Sequence, residues 1–229
     1  MLWKGSSVKL PPGVQLRVSE TARRVSLRVD APTGVVLLVV PKRASLTRAA
    51  DFAEKNRKWI DSKLKSLPPP VPFADGIDVP VGGQSHRIRH RPEMRGTVWR
   101  EGNEIHIAGK VEHLPRRLTD WLKAEARREI SALVDRHAEV VGRRPARVTL
   151  RDTTTRWGSC SPTGRIAFCW RLILAPREVM DYVVAHEMAH LVELNHGVRF
   201  WRLVRKLVPD VDTPRRWLSD HGIRLHRYG

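Results

Sequence analysis

A chain of 229 residues with 41% hydrophobic content is long enough for one sizeable core or two small ones, and no apolar run approaches the ~20 residues that span a bilayer. The opening Met1-Leu-Trp-Lys-Gly5 has no signal-peptide core and two cysteines are too few for a disulfide framework, so the expected setting is the cytoplasm with no membrane partner. The net charge of +18 favours association with polyanions such as nucleic acid, nucleotides or acidic protein segments, although the basic residues read as spread along the chain and form no recognisable nucleic-acid-binding module.

Taken in order, Gln15 to Val18, Val25 to Val29 and Val35 to Val40 are short β-branched runs, with the turn signal Ala31-Pro-Thr-Gly34 between the last two. They predict a small antiparallel sheet. Ser45 to Leu67 reads as one helix with Ser45 as N-cap, an apolar face of Leu46, Ala49, Phe52, Ala53, Trp59, Ile60 and Leu64, and a basic remainder. Pro68 to Pro72 ends it. Strands return between Ile77 and Ile107, where His86, His90 and His106, with His113 just beyond, read as surface or internally satisfied residues. Arg116 to Val141 is a long amphipathic helix that Gly142 and Pro145 bring to a stop. Val148 to Asp152 and Arg165 to Phe168 read as strands, with a turn at Ser161-Pro-Thr-Gly164. Counting outward from that turn pairs Cys160 with Arg165, so Cys160 and Cys169 are expected as free thiols. Helices over Val198 to Val208 and Thr213 to His221 close the chain. The expected architecture is α+β, divided into an N-terminal antiparallel β-rich region with its helix (1–114) and a second region (115–229).

The stretch Asp181-Tyr-Val-Val-Ala-His-Glu-Met-Ala-His-Leu-Val-Glu-Leu-Asn-His196 carries the chemistry. At about 100° per residue, His186 and His190 share one helix face, so both imidazoles reach one ion. Glu187 is rotated about 100° from the first, where its carboxylate meets a zinc-bound water without binding the metal; H-E-x-x-H is read as two ligands plus a general base. A catalytic zinc takes a third protein ligand and leaves one position for water, whose pKa falls towards about 7. His196 supplies that ligand if Asn195 or Gly197 ends the helix in a left-handed turn. Glu193, seven residues after His186, is the rival, or else it orients a ligating imidazole.

Arg156-Trp-Gly-Ser-Cys160, Trp170-Arg-Leu-Ile173, Ala175-Pro176, Asp181-Tyr-Val-Val184, His186-Glu-Met-Ala-His190, Glu193, Asn195-His196 and Phe200-Trp201 together resemble the YgjP-like family of zinc metallopeptidases, distantly related to SprT-like and Wss-type proteases. Cys169 departs from that pattern, which more often has asparagine before the Trp-Arg pair. The resemblance implies a minimal zincin-like catalytic core within 115–229, one Zn2+ on His186, His190 and His196, Glu187 as base, and a peptide or protein substrate. In zincin-like folds an edge strand above the metal receives extended substrate, a role that falls to the segment around Trp157, Gly158 and Ser159 or to the strand that follows it. Arg156 or Arg171 is a candidate for an oxyanion contact or a phosphate clamp, and Trp157, Trp170 and Trp201 are expected mainly as packing groups. Two alternatives use the same histidines: a metal-dependent phosphohydrolase acting on a nucleotide-like anion, and a zinc-stapled nucleic-acid-binding domain. A structural site would be closed by a fourth protein ligand, Glu193 or a cysteine.

Overall fold

The computed structural model describes residues 9–229, and the chain divides into two compact units, 1–69 and 70–229. The boundary falls at the proline run, so the expected division at 114/115 lies inside the second unit. Residues 70–114 are there for a physical reason: Val79, Val81, Ile88, Ile105 and Ile107 are buried in one core with Leu114, Leu118 and Leu122.

In the first unit, β1 (Val14–Ser19), β2 (Ser26–Asp30) and β3 (Val35–Pro41) form a sheet of order β1-β3-β2. The β2–β3 hairpin is antiparallel, as the Ala31–Gly34 turn predicts, but β1 runs parallel to β3. A wholly antiparallel sheet is therefore not formed: the chain leaves β1 through residues 20–25 and comes back as the far edge, leaving β3 in the middle. Alternation places Val36, Leu38 and Val40 on one face, where they meet Ala49, Ala53 and Ile60. The helix expected over 45–67 is two, α1 (Leu46–Lys55) and α2 (Arg57–Ser66), parted at Asn56, and Phe52 and Trp59, expected on its apolar face, stand exposed because the sheet covers only the side that carries Ala49, Ala53 and Ile60. Ser45 does cap the first, accepting from the Arg48 amide.

The second unit opens with β4 (Asp78–Val81), β5 (Gln84–Arg91), β6 (Val98–Glu101) and β7 (Glu104–Ala108), in order β4-β5-β7-β6 with β5 and β7 parallel. Its histidines are internally engaged: His86 and His90 donate to the carbonyls of Gln84 and Gly109, and His106 stacks on Trp99. Helix α3 (Leu114–Val141) follows and ends at Gly142 with φ 71°, the left-handed stop its sequence announces. Then β8 (Arg147–Arg151), β9 (Gly158–Cys160) and β10 (Arg165–Cys169) form a sheet of order β8-β10-β9. Helices α4 (Arg177–Ala189), α5 (Val198–Leu207) and α6 (Asp212–Leu225) complete the unit. No helix among the described residues is long and apolar enough to cross a membrane.

The hairpin register differs by one residue from the expected one. Ser161 and Gly164 close the turn and the Ser161 amide donates to the Arg165 carbonyl, so Cys160 lies opposite Ile166. Gly164, at φ 73°, supplies the left-handed residue of a three-residue loop. Cys160 and Cys169 are free thiols, as expected.

Candidate metal centre and substrate cleft

Helix α4 starts behind its N-cap Pro176, whose backbone is still extended at φ −52°, ψ 148°, and carries Glu178 in its first turn. Val179, Met180, Val183, Val184 and Met188 sink it into the core, and its last two turns carry His186, Glu187 and His190. Asp181 accepts from His137 at 2.6 Å and from Arg136 at 2.5 Å, both on α3, which pins α4 in rotation and height.

The helix ends at His190 rather than running on to Asn195. The amides of Leu191 and Val192 turn back onto the carbonyls of Met188 and Ala189 in a tight last turn, and the Gly197 amide closes on the Asn195 carbonyl at 2.7 Å. No non-glycine residue among those described has positive φ, and Gly197 is extended at φ −78°, ψ −174°. The reversal that presents His196 is thus made without the expected left-handed residue. Arg143 of the α3–β8 connection donates to the Leu191 carbonyl and holds the turn.

His186, His190 and His196 meet, with one ligand nitrogen from each lying within 4.8 Å of the others. The Nε2 atoms of His186 and His196 are 3.1 Å apart. Two imidazole nitrogens on one tetrahedral zinc, at bonds of about 2.0–2.1 Å, would be about 3.3 Å apart, so the cluster fits that ion. The Nδ1 of His190 donates to the backbone carbonyl of Glu193 at 3.1 Å, which leaves its Nε2 free for metal. Glu193 therefore touches the site through its main chain, and its carboxylate is not part of the cluster. Burial, with His190 and His196 beside it, pushes His186 down to about 4, and burial also lowers His190 against the pull of the Glu193 carbonyl. Neutral imidazole, the ligating form, prevails at neutral pH. Phe200, fully buried on α5, packs against all three rings at centroid distances of 4.9, 4.6 and 4.7 Å.

Glu187 is only 6% exposed, and burial pushes its carboxyl up to about 7 against the opposing pull of Arg156. Its side chain lies on the backbone of β9: a β-carbon at Gly158 would sit 2.5 Å from Glu187 Cγ and 2.6 Å from Oε1. Gly158 is the residue that lets strand and carboxyl approach. The two line a cleft of about 220 Å³ with Trp157, Tyr182, His186 and Arg215.

Strand β9 is the edge of its sheet. The Cys169 amide donates to the Trp157 carbonyl and the Ser161 amide to the Arg165 carbonyl, so residues 157, 159 and 161 turn their polar groups towards β10. By alternation, Gly158 and Cys160 turn theirs outward, away from the sheet.

The other residues singled out from sequence divide. Arg156 acts electrostatically on Glu187 and borders a neighbouring cavity of about 430 Å³. Ser159 lines that cavity too, because the period of two turns its side chain away from the face on which Gly158 meets Glu187. Arg171 does not reach the site: it is 7% exposed, pairs with Asp152 at 3.0 Å, and donates to the carbonyls of Leu225 and Tyr228. It ties down the C-terminus instead. Trp170 is core, whereas Trp157 stacks on His226 at 4.8 Å and Trp201 packs beside His196. Sequence reasoning passed over Tyr182, Phe200 and Arg215 as site residues. Tyr182 had a usable signal, being one turn before His186 on the same face; Arg215 had none, arriving from α6 over the ring of Trp201.

No curated protein matches. Among solved structures, the metallopeptidase zymogen abylysin of Pyrococcus abyssi aligns at 26% identity over 40% of this chain and 93% of its own, with a TM-score of 0.37. The model of the family described as "YgjP-like, metallopeptidase domain" matches residues 23–221, spanning β2 and β3 of the first unit, the histidine cluster and most of α6. The chain belongs to the YgjP-like metallopeptidase family.

Proposed function

We propose that the chain is a zinc-dependent peptidase in which His186, His190 and His196 hold one ion and Glu187 is the general base. The observation that carries this reading is the junction of α4 and β9, where the three-imidazole cluster adjoins, through His186, a cleft lined by the buried Glu187 carboxyl and by Trp157 and Gly158 at an edge strand. Zinc, when bound, supplies Lewis acidity that polarises the scissile carbonyl and makes water more acidic. Glu187 takes the proton of the attacking water and passes it to the departing amine. The outward amides and carbonyls of Gly158 and Cys160 pair with an extended peptide. Trp157 and Tyr182 wall the cleft, and Arg215 offers positive charge where the carbonyl oxygen becomes anionic. A cytoplasmic setting fits the two free thiols.

A second reading, hydrolysis of a nucleotide-like phosphate ester or anhydride, draws on Arg156, which acts electrostatically on Glu187, and on Arg215, which lines the cleft. The strand edge favours the peptide. A purely structural zinc site is the weaker third reading, since among the described residues the cluster contains neither Glu193 nor a cysteine as fourth ligand.

The test pairs elemental analysis with hydrolysis of unfolded protein and of nucleoside triphosphates, for wild type and Glu187→Gln. The expected result is one zinc per chain in both proteins, with cleavage of unfolded protein reduced by about 10²–10⁴-fold in the variant. Cleavage of triphosphates alone would transfer the chain to the second reading, and full activity in the variant would remove Glu187 as the base.

A further inference from the structure

The first unit holds a surface that the proposed chemistry does not use. Residues 1–69 carry fourteen Lys and Arg against five Asp and Glu, a net +9 that is half of the whole chain's +18 in under a third of its length. The charge is therefore less evenly spread than the sequence first suggests. On α1 and α2 it meets exposed aromatics: Phe52 is 39% and Trp59 40% exposed.

These two rings belong together. Asn56 interrupts the helix but keeps its hydrogen bonding, its amide reaching the Phe52 and Ala53 carbonyls and its own carbonyl accepting from Ile60. The helical rotation carries across, and a spacing of seven returns Trp59 to the side of Phe52, about 10 Å further along the axis. Arg48, Lys55 and Lys63 fall on the same stripe at helical spacing, all exposed. None makes an ion pair among the described residues, whereas Arg57 is held by Glu54 and Asp61.

We propose that this stripe binds single-stranded nucleic acid, with bases stacking on Phe52 and Trp59 and phosphates meeting Arg48, Lys55 and Lys63. Stacking on aromatic rings joined to a positive track is how strands are held without sequence readout. An anionic membrane is the poorer occupant. A membrane-surface helix segregates a wide apolar face from its cations, but the apolar face of α1 and α2 is already spent on their own sheet through Ala49, Ala53 and Ile60. What remains outside is two rings with a lysine between them.

The test uses the full-length protein and fluorescence anisotropy with a labelled 20-nucleotide oligothymidylate, an abasic 20-mer of the same charge, and phosphatidylserine vesicles. The expected result is binding to oligothymidylate that weakens about tenfold or more between 50 and 200 mM salt and exceeds binding to the abasic strand. Phe52→Ala with Trp59→Ala abolishes that margin, and Lys55→Glu with Lys63→Glu weakens both strands about tenfold. Circular dichroism and thermal unfolding confirm that both variants fold. Equal affinity for the two strands, affinities unchanged in both variants, or binding to vesicles without binding to oligonucleotide would each overturn the proposal.

Discussion

At Gly158 a single hydrogen decides where a carboxylate sits. A methyl group there would lie within 2.6 Å of Glu187 Oε1 and 2.8 Å of Cδ, and of the two partners the side chain gives way more easily than the strand. Gly158→Ala is therefore expected to keep the fold and the zinc content while displacing the base by up to an ångström, which lowers kcat by about 10²-fold. Thermal unfolding, elemental analysis and steady-state peptide hydrolysis on the same preparation check this; an unchanged kcat would mean that Glu187 has no fixed place in the reaction. Phe200 does for the three imidazoles what Gly158 does for the Glu187 carboxyl. Because its ring touches all three imidazoles, Phe200→Leu leaves an apolar residue in place but frees the rings to turn. The expected loss is about 10–100-fold in zinc affinity, the range seen when groups that orient ligands are removed, read by competition with a chelator.

Between elements, the placement of α4 depends on a polar contact with α3. Burial opposes ionisation of Asp181, yet the hydrogen bonds from His137 and Arg136 hold its carboxyl below the usual range. Because the folded value lies under the unfolded one of about 3.9, the contribution to stability is complete above that pH and is lost as pH falls through the folded value. Asp181→Asn is expected to cost about 1–3 kcal/mol at neutral pH, and the gap to wild type should narrow below about pH 4. Urea unfolding at several pH values checks it, and a gap that stays constant down to pH 2 would contradict the assignment. This contact also shows what the sequence could convey. His186, Glu187 and His190 are related by helix geometry alone, so their mutual placement was legible, as were the cap at Ser45 and the stop at Gly142. His196 needed a turn built from ordinary backbone angles, which no residue type signals. Arg215 and the burial of Arg171 depend on how α6 and the C-terminus pack, and no local period encodes that.

For the molecule as a whole, the parallel pairing of β1 with β3 and the joining of 70–114 to the unit that holds the histidine cluster are long-range choices of the same kind, hidden from local pattern. They yield two cores with no residue in common: Val36 to Ile60 in one, Phe73 to Leu225 in the other. The second also closes on itself, since the Val71 amide donates to the Arg227 carbonyl and the Gly229 amide to the Val71 carbonyl, joining the first residues of the unit to its last. A span of 70–229 is well within the size at which one core suffices. A fragment of those residues is therefore expected to unfold in one cooperative transition and to bind one zinc with the affinity of the full chain. It should also lose the oligonucleotide binding assigned to α1 and α2. Scanning calorimetry, chelator competition and anisotropy on the fragment check the three parts separately. A fragment that fails to fold would show that the first unit stabilises the second, and one that folds and still binds oligonucleotide would move the polyanion site onto the +9 carried by residues 70–229. The charge is divided evenly between the units, but only the first sets exposed aromatic rings at helical spacing among cations that have no carboxylate partner, which is why binding is expected to follow α1 and α2 rather than net charge.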